Sequence, residues 1–310
     1  MKFAIALPAV LVSAFSTAAL EVPGSGRRLA QCAAGFFSAD GTDGGGPCAP
    51  CTAGQYAAAT GSTTCTACSA GQYASSTGSS WCAECGAGTY SSLTGRSSAC
   101  SDLCASGKYS AVGASACTDC AAGMYSSAGE SGCSDCSVGT YQTATGASSC
   151  LDCDGGRYSS STGRSTTCSD SCSAGKYSTA GASACTDCGA GLYSSAGAGV
   201  CTSCGVGTYQ TATGASSCLD CDAGSYSSSM GRSVACSDLC AAGTYSAHRA
   251  SACTSCAAGT FAPSIGSSTC IDCYPGSYSA STGAPACTDC SAGFFQPSTG
   301  QVSTFCPSRN

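Results

Sequence analysis

Residues 136–153 read Cys-Ser-Val-Gly-Thr-Tyr-Gln-Thr-Ala-Thr-Gly-Ala-Ser-Ser-Cys-Leu-Asp-Cys. An opening cysteine is followed by glycine at the third place and an aromatic residue at the fifth. A second glycine, a run of small hydroxylated residues and a closing cysteine complete the unit. Two residues later the next unit opens. The same unit opens sixteen times between Cys32 and Cys290, and sixteen units of two cysteines use all 32 in the chain. A repeat of this length is the first thing to read, because it decides the architecture before any local propensity does.

Twelve junctions between units are Cys-x-x-Cys. Three carry one extra residue, Cys100/Cys104, Cys168/Cys172 and Cys236/Cys240, and these recur every 68 residues. Residues 104–171 and 172–239 align without a gap at 50 of 68 positions, so a block of four units has been duplicated.

Composition agrees with a scaffold. The 310 residues include 42 Gly, 58 Ser and 31 Thr. From Gln31 onward only 23 Val, Leu, Ile, Met, Phe and Trp remain, besides 14 Tyr. A single large core cannot be built from these, which argues against an ordinary α/β or helical enzyme. A catalytic site also needs distinct residues in distinct roles, and a repeat supplies equivalent ones. No enzyme activity and no cofactor are expected.

Cys-x-x-Gly-x-Tyr predicts a tight turn that enters a short strand, with glycine for the turn and the aromatic for the strand. The second glycine marks the return. No stretch has sustained helical periodicity. The expected fold is small, disulfide-rich and all-β: an elongated rod of 16 tandem one-disulfide hairpin units with little helix, in which each unit contacts only its neighbours. If each unit stacked two strands at ~4.8 Å, sixteen would span ~160 Å. One aromatic per unit is expected to lie against a neighbouring disulfide or glycine, giving a buried ladder of rings.

Sequence alone leaves cysteine connectivity open. Two arguments favour pairing within units: Cys-x-x-Cys neighbours are too close for an easy bridge in an extended segment, and one bridge per repeat makes all repeats equivalent. The expected disulfides are Cys32–Cys48, Cys51–Cys65, Cys68–Cys82, Cys85–Cys100, Cys104–Cys117, Cys120–Cys133, Cys136–Cys150 and Cys153–Cys168. They continue as Cys172–Cys185, Cys188–Cys201, Cys204–Cys218, Cys221–Cys236, Cys240–Cys253, Cys256–Cys270, Cys273–Cys287 and Cys290–Cys306. Zinc clusters or a redox dithiol are the alternatives for Cys-x-x-Cys. A secreted, evenly paired, helix-poor chain favours disulfides.

Secretion is read from the N-terminus. Met1-Lys2, an apolar run over 3–14 and small residues up to Ala19 form a signal peptide pattern, with cleavage after Ala18 or Ala19. Residues 20–31 are expected to be a linker, 32–306 the repeats and 307–310 a tail. Arg27-Arg28 reads as a solvated pair or a dibasic processing site. No membrane span is expected in the mature chain, and localisation is expected to be secreted or extracellular.

Ten aspartates recur at the junctions, from Asp102 to Asp289, and supply most of the acidity behind the net charge of −6. They read as turn caps, with weak calcium ligation as the alternative. This acidity argues against nucleic acid as a partner. His248, the only histidine, lies in Ala247-His248-Arg249, where the usual second glycine is missing. It reads as drift in a loop.

The Cys-x-x-Gly-x-Tyr units joined by Cys-x-x-Cys resemble the cysteine-rich repeats of ephrin-type receptor ectodomains and the first submodule of tumour-necrosis-factor-receptor repeats. The resemblance covers 32–306 and implies an elongated, disulfide-stapled extracellular module. In the receptor submodule the first two cysteines pair with each other. Only Tyr274-Pro275-Gly276 keeps a proline before the glycine, and the interleaved four-cysteine submodule is missing, so signalling is not carried over. The function expected is a secreted, rod-like structural or adhesive protein of the cell surface or extracellular matrix. The alternative is a soluble receptor-like module. Expected partners are an extracellular protein, a glycan or another copy of the chain.

Overall fold

The computed structural model describes residues 20–21, 28–44, 46–303 and 306–308. The leader at 1–19, Arg27 and the end of the tail lie outside the described residues. Within the expected linker, Leu20–Glu21 pairs antiparallel with Arg28–Leu29.

The described residues are all-β, with no helix. In every repeat but the last, the aromatic and the residue before it form a two-residue strand. Its partner is the pair of residues that precedes the next opening cysteine. Thr140–Tyr141 pairs with Leu151–Asp152, Tyr141 opposite Leu151. Gln55–Tyr56 pairs with Thr66–Ala67 in the same register. The longer junctions keep this scheme: Thr89–Tyr90 takes Asp102–Leu103. In the last repeat Phe294 bridges to Ser308. The Cys-x-x-Cys spacer is therefore the return strand, and the second glycine lies in the connection.

A single disulfide closes each hairpin, from Cys32–Cys48 to Cys290–Cys306, across 13 to 16 residues of chain. Cα–Cα separations run from 5.3 to 6.0 Å, the range a disulfide needs.

The ladders are separate two-stranded sheets. Continuous stacking of strands from repeat to repeat is not met: between repeats there are isolated parallel bridges, such as Tyr73 to Arg96, rather than ladders. Consecutive repeats are joined instead by three backbone hydrogen bonds. Between the repeats opening at Cys51 and Cys68, the Gly54 N–H donates to the Ala74 carbonyl (2.8 Å), Ala57 to Ser79 (3.1 Å) and Gly78 to Cys51 (2.8 Å). Between those opening at Cys188 and Cys204, the same three run from Gly191 to Gln210, Ser194 to Ala215 and Gly214 to Cys188.

Contact also reaches past the nearest neighbour. Gly54 has φ +89°, and an added Cβ there would lie 2.1 Å from the carbonyl oxygen of Gly95, two repeats on. Gly191 stands in the same relation to Gly231. The first glycine thus serves two needs at once, a left-handed turn and a backbone approach that no side chain permits.

Two compact units divide the chain, one up to Ser134 with Ala144–Ser149, the other Asp135–Thr143 with the residues from Cys150 onward. Both have the same kind of interior. Fifteen of the sixteen opening cysteines, all but Cys290, are buried. So is the residue just after the aromatic in every repeat, which is always Ser, Ala or Gln: Ala57, Ser110, Gln142 and Ser246 are examples. Several of these serines donate back to the preceding repeat, Ser110 to the Thr89 carbonyl (2.9 Å) and Ser246 to the Ser225 carbonyl (2.8 Å). No buried side-chain N or O among the described residues is left unpaired. The repeated aromatics are half-buried rather than core, as at Tyr56, Tyr125 and Tyr209. The ring contact found among the described residues joins Phe261 to Tyr274, edge to face at 6.3 Å, so the rings are less buried than expected and do not stack on one another as a rule. The buried positions are taken by the opening cysteines and the small residue after the aromatic, and the ring is left half-covered.

Candidate interaction surface

The cysteines turn inward and are spent on disulfides. No free cysteine exists among the described residues, so no thiolate is offered to a metal or a redox partner. No three His, Cys, Asp or Glu side chains converge on a common point among those residues.

Six of the ten junction aspartates stand in ion pairs among the described residues. At the three longer junctions, an arginine that follows the second glycine reaches forward past the closing cysteine into the longer spacer. Arg164 Nη1 binds Asp170 at 2.8 Å, Nη2 binds the Thr167 carbonyl and Ser169 Oγ, and Nε binds the Thr166 carbonyl. Arg96 and Arg232 repeat this fan onto Asp102 and Asp238. Each of the three arginine side chains is only 12–14% exposed. The guanidinium fork satisfies carbonyls just before the closing cysteine. Sequence reasoning found the extra residue but not its arginine. The signal was present: of the second glycines in the repeats, only Gly95, Gly163 and Gly231 are followed by Arg. In the next repeat, Lys108 and Lys176 bind Asp119 and Asp187 across the hairpin.

His248 is exposed. Its neighbour Arg249 takes the place of the second glycine and keeps that glycine's left-handed conformation, φ 64°, the one non-glycine with positive φ among the described residues. Arg249 N–H still donates to the Cys221 carbonyl. Its side chain is 70% exposed and stands 3.8 Å from Asp220.

With the interior filled by cysteine and small residues, the large apolar side chains face outward. Leu93, Leu103, Val200, Met230 and Ile265 are 60–71% exposed. Shallow grooves lie between successive hairpins. One of about 270 Å³ is lined by Tyr193, Thr208, Ser217, Asp220 and Arg249. The surface can thus offer apolar and hydroxyl contacts many times over, in similar settings. No helix among the described residues is long and apolar enough to cross a membrane.

The comparisons with known proteins follow the repeat. A family model described as tyrosine-protein kinase ephrin type A/B receptor-like matches residues 35–81, 123–172, 191–236 and 243–286, together more than half of the chain. The kinase in that description belongs to the receptors it names, and the matched segments here are hairpin repeats. No curated protein matches the chain. Four matches spread along one continuous run of these hairpins place the chain in the ephrin type A/B receptor-like family.

Proposed function

We propose that the protein is a secreted, rod-like structural or adhesive component of the cell surface or extracellular matrix, acting as a spacer that carries a multivalent binding surface. Receptor-like, disulfide-rich repeats point to an extracellular module. The observation that carries the proposal is the inversion of the usual layout: cysteine and serine lie inside, and Leu, Val, Ile and Met lie outside in repeat after repeat. Repeated, near-equivalent contacts give avidity without a unique site. Small-angle scattering of the secreted protein is expected to give an elongated particle, and surfaces coated with it are expected to hold cells more firmly as more repeats are included. A compact particle with one saturable ligand would count against the proposal. N-terminal sequencing is expected to start at Ala19 or Leu20.

A second reading, a soluble receptor-like module, draws on the break at His248-Arg249, where one repeat differs from its fellows. It predicts a single protein or glycan ligand lost in Arg249→Gly.

A further inference from the structure

We infer that the loop closed by Cys68–Cys82 carries a binding site for a neutral saccharide, with Trp81 as its stacking platform. Trp81 is the only tryptophan in the chain, and it stands just before a closing cysteine, where sister loops hold small residues such as Thr64, Ala116 and Ser149. Its side chain is 67% exposed. No hydrogen bond or ring contact among the described residues engages this ring, and an exposed indole is the side chain best equipped to hold a flat, half-apolar partner.

Trp81 walls a depression of about 350 Å³ whose other sides come from Tyr73, Ser75, Ser76, Ser80 and Ala83. All of these belong to one hairpin loop, and the Cys68–Cys82 bridge holds its ends together. The walls are therefore set relative to one another before any ligand arrives.

Two features choose the ligand. No charged residue lines the depression, so an ionic group would be desolvated there without a counter-charge. The hydroxyls of Ser75, Ser76 and Ser80, the Tyr73 phenol and the indole N–H make no hydrogen bond to another described residue, and the hydroxyls can donate or accept. A ring face beside a fan of hydroxyls matches a pyranose, which has one apolar C–H face and a rim of hydroxyl groups. Ligand pockets run from roughly 300 to 1,000 Å³, so this one fits one or two sugar residues rather than a long chain.

The inference deepens the adhesive reading and rests on it for its use. Its test is separate. Because Trp81 is the sole tryptophan, its emission reports on this loop. The intact protein is titrated with methyl glucoside, methyl galactoside, methyl mannoside, N-acetylglucosamine and cellobiose, with glucuronic and sialic acids as charged controls. Binding is followed by tryptophan emission and by ligand-observed saturation-transfer NMR. At least one neutral sugar is expected to give a saturable, millimolar response. Trp81→Thr, which installs the residue that sister loops carry, is expected to weaken the NMR response about tenfold, as for loss of one stacked ring. Val200→Thr at the corresponding place in another loop should leave it unchanged.

The inference is overturned if no neutral sugar saturates, if the signal survives Trp81→Thr, or if only the charged sugars bind. It is also overturned if emission changes with protein concentration alone, which would assign the loop to a second copy of the chain. An elongated particle that binds no sugar sinks this inference and spares the adhesive reading. A compact particle that binds sugar does the reverse.

Discussion

Gly54 and Arg249 occupy left-handed backbone for different reasons. At Gly54 the next atom outward is the carbonyl oxygen of Gly95, so Gly54→Ala meets both an unfavourable φ and a steric block. That change is expected to destabilise by roughly 3 kcal/mol or more in denaturant unfolding. Gly132 has ordinary φ and open space around it, and Gly132→Ala should shift stability by no more than about 0.5 kcal/mol. Arg249 bears the left-handed cost without need, since its exposed pairing with Asp220 is worth little. Arg249→Gly should stabilise by about 1 kcal/mol, read as a higher melting temperature. A loss of stability there would show that the side chain holds the loop. The turn role of the first glycine is legible in Cys-x-x-Gly-x-Tyr. Its second role is not, because the carbonyl it admits comes from two repeats away and leaves no mark in the local pattern.

Each hairpin is too small to stand on strand pairing alone, since two-residue ladders offer few hydrogen bonds. Its closure is covalent. Replacing both Cys120 and Cys133 by Ser should cost about 3 kcal/mol, with loss of hydrogen-exchange protection centred on that repeat. The longer junctions rely on a second device. Arg164→Ala should cost about 1–2 kcal/mol, because carbonyls of Thr166 and Thr167 lose a charged donor. Arg164→Lys should recover little of it, since an ammonium lacks the planar fork. Unfolding of the two variants side by side checks this, and full rescue by lysine would reduce the arginine to a point charge. The hairpin count, the aromatic strand and the extra junction residue are all plain in the sequence. The burial of the residue after the aromatic is not. Ser110 and Ser126 look like solvated loop serines until the preceding repeat supplies the Thr89 and Lys108 carbonyls that take their hydroxyls. Expecting the rings as core was natural for a chain poor in aliphatics, but the opening cysteines and the Ser, Ala or Gln after the aromatic take the buried positions.

At the scale of the molecule, the sequence forecasts a scaffold because it lacks the material for a core, and the fold replaces that core with cross-links repeated sixteen times. The large apolar residues are released to the surface, which is the basis for reading the chain as adhesive. Burial of a half-covered aromatic in each repeat contributes less than ~2 kcal/mol, below the disulfide's share. Integrity should therefore depend on oxidation more than on temperature or moderate denaturant. The measurement that tests this most directly is hydrogen exchange of the intact protein before and after complete reduction and alkylation, under otherwise native conditions. The account predicts that protection of the inter-repeat amides, Gly54, Gly78, Gly191 and Gly214 among them, collapses along the whole repeat region once the thiols are blocked. Protection that persists in the fully alkylated chain would show that packing, not the disulfides, holds the fold.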